Sequence, residues 1–253
     1  MDRRLADRRR AGARGKKSGR CDFAPCLCDN VLRPLVFSDR LAGSGPSLPL
    51  QTVTNPRHLQ IVANVIAPFL GDRAAVLAGR LIDHFGGLNG ALAQEPGTIY
   101  DPDLAEACRL LRAARALFVS SAQERLQGAD VRSDDRDVVE YLQLSIGSAR
   151  HEQLHVIYAD HCGQYLRDEI IAHGAGRRVR ISARTLFHHA LNLGANRLLL
   201  SHNHPSGRCE PSEDDTATTE RLRSVADYLE IEVIDHLIVT SSQAFSMRAG
   251  RLL

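Results

Sequence analysis

The chain has 253 residues, 43% hydrophobic and 25% charged, the composition of a globular protein with room for one large or two small domains. Its net charge of +2 is too small to mark a nucleic-acid-binding protein by itself, and no stretch approaches the roughly 20 apolar residues of a bilayer-spanning helix, so no membrane partner is expected. Six cysteines without disulfide-like spacing favour a reducing compartment, taken as the cytoplasm.

Residues 1–55 read as a disordered basic arm and linker. Arg3, Arg4, Arg8, Arg9, Arg10, Arg14, Lys16, Lys17 and Arg20 stand against Asp2 and Asp7 only, a segment with too little apolar surface to offset its ordering entropy. Such an arm can contact DNA without sequence preference. Cys21, Cys26 and Cys28 are read as thiols of this arm or as half of a zinc site. The Gly, Pro and Ser-rich stretch from Ser38 to Pro56 reads as the linker, so ordered structure is expected from near Pro56.

Residues 56–128 are expected to form a small helical domain. The apolar spacing predicts helices over Pro56 to Leu70 and Arg73 to Phe85, the second stopped by Gly86 and Gly87. A third begins at the N-cap Asp101, with Pro102 in its first turn, and puts Leu104, Cys108, Leu111 and Phe118 on one face. The polar stretch Gln123 to Ser133, with Gly128, reads as a boundary.

Residues 132–253 alternate between strands and helices. A helix is expected over Asp134 to Ser145, and strands over Gln153 to Ala159 and Gln164 to Ala172 with a turn at Asp160 to Gly163. Ser182 caps a helix ending before Gly194, and the apolar strand Arg197 to Ser201 leads into SHNHPSGRCEPSEDD at Ser201 to Asp215. A helix from Ser212 to Leu229 and strands over Ile231 to Thr240 and Ala244 to Met247 complete an α/β unit of two or three layers.

The Ser201 to Asp215 stretch carries the chemistry. Residues two apart on a strand share a face, so His202 and His204 can ligate one ion while Asn203 points the other way. Pro205 ends strand pairing and Gly207 permits the sharp turn that returns Asp215 as a third ligand. Two imidazoles and one carboxylate suit a divalent metal with one position left open. Ser212 and Asp215 also have the spacing of a helix start.

These residues resemble the RadC family, a bacterial branch of the JAB/MPN (JAMM) metalloprotease superfamily, whose pattern is HxH, seven residues, Ser, two residues, Asp. His202, His204, Ser212 and Asp215 match it without departure, and Arg184 to Phe187 with Ala190, and Asp235 with His236, extend the likeness from about Asp134 to the C-terminus. The resemblance implies a JAB/MPN, cytidine-deaminase-like mixed β-sheet flanked by helices and preceded by a helix-hairpin-helix-like all-α domain. It further implies one Zn2+ on His202, His204 and Asp215, Glu152 as general base, and Ser212 hydrogen-bonding the developing oxyanion or the metal-bound water. The implied activity is a metallopeptidase or isopeptidase acting on a peptide or protein substrate. A DNA-repair or recombination-associated protein with a structural or vestigial metal is the alternative. For the hairpin, the stretch Gly97 to Leu104 lacks the GxG that lets backbone amides approach phosphate, and Asp101 and Asp103 would repel it.

Overall fold

The computed structural model describes residues 35–38, 55–93, 99–174 and 178–253. The basic arm, the Cys21 to Cys28 group, Gly97 and most of the expected linker lie outside them.

The first described element is a strand, β1 (Leu35–Ser38), which corrects the expectation that ordered structure starts near Pro56. Three helices follow: α1 (Pro56–Leu70), α2 (Ala74–Phe85) and the short α3 (Leu88–Leu92). By length and composition the run Pro56–Phe85 is apolar enough to cross a membrane, contrary to the reading from composition. Here a 3-10 turn at Gly71–Arg73 breaks it, and its Val62, Ile66, Leu77 and Leu81 are buried in one cluster with Leu104 and Cys108. Gly86 closes α2 in the left-handed conformation, with φ 72°.

Helix α4 (Pro102–Leu126) starts as expected, with the Asp101 carboxylate accepting from the Asp103 and Leu104 N–H groups. It then runs into the stretch expected to be a boundary. Its first half packs into the helical cluster through Leu104, Ala107, Cys108 and Leu111, whereas Ala122 and Leu126 are buried with Val138, Leu142 and Leu199 in the core below the sheet. One helix therefore serves two cores. Arg115 reinforces the junction, donating to the Leu144 and Ser145 carbonyls at 2.8 and 2.9 Å on the next helix, α5 (Arg136–Ile146).

The remaining elements are β2 (Gln153–Ala159), β3 (Tyr165–His173), β4 (Arg178–Ile181), α6 (Ala183–Leu193), β5 (Arg197–Asn203), α7 (Glu213–Tyr228), β6 (Glu232–Val239), β7 (Ala244–Ser246) and β8 (Arg251–Leu252). Six of the strands form a mixed sheet ordered β3-β2-β5-β6-β7-β8, in which β2 and β5 are antiparallel and β5 and β6 parallel. β1 and β4 pair separately, Leu35 opposite Ile181 and Ser38 opposite Arg178. Ser182 occupies the N-cap of α6 but makes no side-chain capping bond there.

The central strands are apolar on both faces because both are covered. Leu154, Val156, Tyr158, Leu198 and Leu200 pack with α6, α7 and β1; Ile157, Ala159 and Leu199 pack with α5 and the end of α4. Helices thus flank a mixed sheet, as expected for a JAB domain.

Candidate metal centre

The site lies where β5 ends. Leu154 pairs with His202 across the antiparallel β2–β5 ladder, so Glu152, just before β2, and His204, just after β5, lie at the same end of that pair of strands. Beyond β5 the chain turns tightly, the Gly207 N–H donating to the His204 carbonyl at 3.0 Å with φ 81° at the glycine, a backbone shape that a side chain would strain. α7 then starts with a reciprocal cap. Ser212 Oγ accepts from the Asp215 N–H at 3.1 Å, and the Ser212 N–H donates to Asp215 Oδ2 at 2.8 Å.

His202, His204 and Asp215 converge, with exposures of 0%, 1% and 0%. The His202 Nε2 lies 2.9 Å from His204 Nε2 and 3.3 Å from Asp215 Oδ1; His204 Nε2 lies 3.4 Å from Asp215 Oδ2. The neighbours of each ring determine which nitrogen carries hydrogen. His204 Nδ1 is 2.9 Å from the Arg208 carbonyl, which can only accept, so Nδ1 donates and Nε2 presents a lone pair.

For His202 the assignment passes through two residues. The single hydroxyl hydrogen of Thr219 goes to the Asp215 carbonyl at 2.7 Å, a better acceptor than the Met247 sulfur at 3.7 Å. Thr219 Oγ1 then accepts from His236 Nδ1 at 2.6 Å, and His236 Nε2 accepts from His202 Nδ1 at 2.7 Å. His202 is left with its Nε2 lone pair facing that of His204. Two imidazole acceptors and a carboxylate therefore share one buried point, and acceptors in that arrangement fit a cation. Burial disfavours a charged Asp215, but the Ser212 N–H bonded to Oδ2 favours the charged form, and positive charge at the point shared with His202 and His204 holds the carboxyl well below the usual carboxylate range. Burial lowers the basicity of His236 well below an ordinary histidine, in keeping with a neutral ring as intermediary.

Glu152 is also fully buried. Its segment is held by the residue between the two histidines. Asn203 Oδ1 accepts from the Gln153 N–H at 2.8 Å, and Asn203 Nδ2 donates to the Ala149 and His151 carbonyls at 3.1 and 3.2 Å. Asn203 does face away from His202 and His204, as alternation requires, and there it clamps the loop that bears Glu152.

Other sequence candidates fall elsewhere. Cys209 turns its thiol toward Thr240 Oγ1, 3.6 Å away, and burial raises that thiol's pKa. His155, which has no ligand spacing, is buried against Asp168 at 2.6 Å on the opposite face of β2. Thr219, Asn203 and β1 were missed as site residues. Thr219 follows Asp215 by one helical turn and Asn203 by its parity opposes the histidines, but β1 has no local signal linking it to Asp215.

Residues 132–252 match the model of the RadC-like JAB domain. A UPF0758 protein of Variovorax paradoxus is 34% identical over 190 residues, covering 72% of this chain and 83% of the relative. One from Carboxydothermus hydrogenoformans is 31% identical over 201 residues, 75% of this chain and 87% of the relative. One from Burkholderia cenocepacia is 30% identical over 229 residues, 87% of this chain and 84% of the relative.

Proposed function

The chain belongs to the RadC-like JAB-domain family, to which the UPF0758 proteins belong, and from that premise we propose that it is a zinc-dependent peptidase or isopeptidase. The observation that carries the reading is the convergence of His202 Nε2, His204 Nε2 and the Asp215 carboxylate at one buried point, with the buried Glu152 just before the adjacent strand β2. His202, His204 and Asp215 would hold the ion. Bound zinc supplies Lewis acidity, bringing the pKa of water to about 7 and polarising an amide carbonyl.

The chain's own groups supply the rest. Glu152 takes the proton from the attacking water and returns it to the departing amine, the two-way transfer amide hydrolysis needs. The Ser212 cap uses its oxygen as an acceptor, and its hydroxyl hydrogen donates to the oxyanion that develops on the carbonyl. Burial of these groups limits competing water and strengthens each electrostatic contact. The substrate class is a peptide or protein amide.

The test is metal analysis of the purified protein beside His202→Ala and Glu152→Gln, with cleavage of a peptide library. Wild type should carry one zinc per chain and cleave; His202→Ala should lose both properties; Glu152→Gln should keep zinc and lose turnover. A wild type without stoichiometric divalent metal sinks the reading. Zinc binding without cleavage, together with tight sequence-independent DNA binding, would favour the DNA-associated role instead.

A further inference from the structure

β1 lies outside the matched JAB domain, which begins at residue 132, yet it touches the candidate ligands directly. The Ser38 N–H donates to Asp215 Oδ1 at 3.0 Å, the same oxygen that lies 3.3 Å from His202 Nε2. The Phe37 ring stacks on His202, with centroids 5.2 Å apart and 25° between the planes, and meets His236 edge-on at 4.9 Å. Val36 anchors the strand to α7: its N–H donates to Thr218 Oγ1 at 3.3 Å, and Thr218 Oγ1 donates to the Val36 carbonyl at 2.5 Å. Phe37 and Ser38 are fully buried.

These contacts act on orientation. A carboxylate held at one oxygen can still rotate about its Cβ–Cγ bond; held at both, it cannot do so without breaking a charge-assisted bond. The Ser212 N–H takes Oδ2 from within the cap of α7, and the Ser38 N–H takes Oδ1 from a separate strand. Phe37 meanwhile limits tilting of the His202 ring, whose Nδ1 is already held by His236.

We propose that β1 is a working part of the metal centre: the Ser38 N–H and the Phe37 ring are positioning groups that set the Asp215 carboxylate and the His202 imidazole for a divalent cation. The proposal rests on the metal reading above, and makes cation affinity depend on a strand that precedes the family domain.

The test measures zinc affinity by competition with a chromophoric chelator, and thermal unfolding without metal, for full-length wild type and Ser38→Pro. Proline removes the N–H that serves Asp215, and its fixed φ suits an extended strand end. Ser38→Pro should bind zinc about 10–100-fold more weakly, the usual cost of losing a group that orients a ligand. A folded Ser38→Pro with wild-type affinity overturns the proposal. Should Ser38→Pro fail to fold, Phe37→Leu decides: it keeps apolar filling without the ring, so weaker zinc binding supports the proposal and unchanged binding overturns it. Wild type that binds no zinc overturns the metal reading beneath, which separates the two failures.

Discussion

His236 Nε2 lies 2.7 Å from His202 Nδ1, so the ring that offers a lone pair to the metal point takes its tautomer from a histidine that does not reach that point. Thr219 in turn sets His236. Thr219→Val keeps the branched shape and removes the hydroxyl, leaving His236 Nδ1 without its acceptor. Zinc affinity should fall about 10–100-fold, and Thr219→Ser should restore it. Isothermal titration of the metal-free protein measures both; equal affinity in Thr219→Val would rule out the relay.

Asn203 should separate metal binding from turnover. Asn203→Ala releases the Ala149 to Gln153 segment without touching the three ligands, so zinc affinity should hold while kcat drops, by about 100-fold if Glu152 shifts by an ångström. Steady-state kinetics at matched zinc content checks this. A loss confined to KM would point to substrate contact instead.

Ser212 has two duties that one substitution pair can divide. Ser212→Ala should cost about 1 kcal/mol of stability through the lost cap, whereas Ser212→Asn supplies another capping side chain. If the hydroxyl assists chemistry, the asparagine variant recovers its urea midpoint but not its turnover. Recovery of both would reduce Ser212 to a helix cap.

Asp168 is the acid-sensitive point of the fold. It accepts from His155 Nε2 at 2.6 Å, from Gln123 Nε2 at 2.7 Å, and from the Tyr141 and Tyr165 hydroxyls, tying α4, α5, β2 and β3 together. Burial works against its charge, but the bond to His155 and its charge, with both tyrosines, hold the carboxyl well below the usual carboxylate range. A depressed folded pKa gives stability that is present above the unfolded value of about 3.9 and lost as pH falls from there toward the folded value. Asp168→Ala should cost about 3–5 kcal/mol at neutral pH because the donors around a buried pair lose their acceptor. Asp168→Asn should flatten the decline in stability below about pH 4. Urea denaturation from about pH 7, on the plateau, down to about pH 2, within the decline, tests both.

The sequence by itself determined whatever depends on spacing within one element. Apolar periodicity and capping residues located α1, α2, β2, β5 and α7 closely, because those signals act over a few residues. HxH on a strand, a glycine turn and an SxxD helix start specified the candidate ligand set for the same reason. Tertiary structure decided what depends on register and on contacts between distant segments. It extended α4 past the expected boundary, because Ala122 and Leu126 found apolar partners beneath the sheet that no local pattern announces. It brought the head of β2, with Glu152 just before it, to the end of β5 by antiparallel pairing, and made Asn203 the clamp of the Glu152 loop. It also brought Ser38 to Asp215 across 177 positions of chain, a contact made by a backbone N–H, which every residue but proline possesses and which therefore leaves no mark in a sequence.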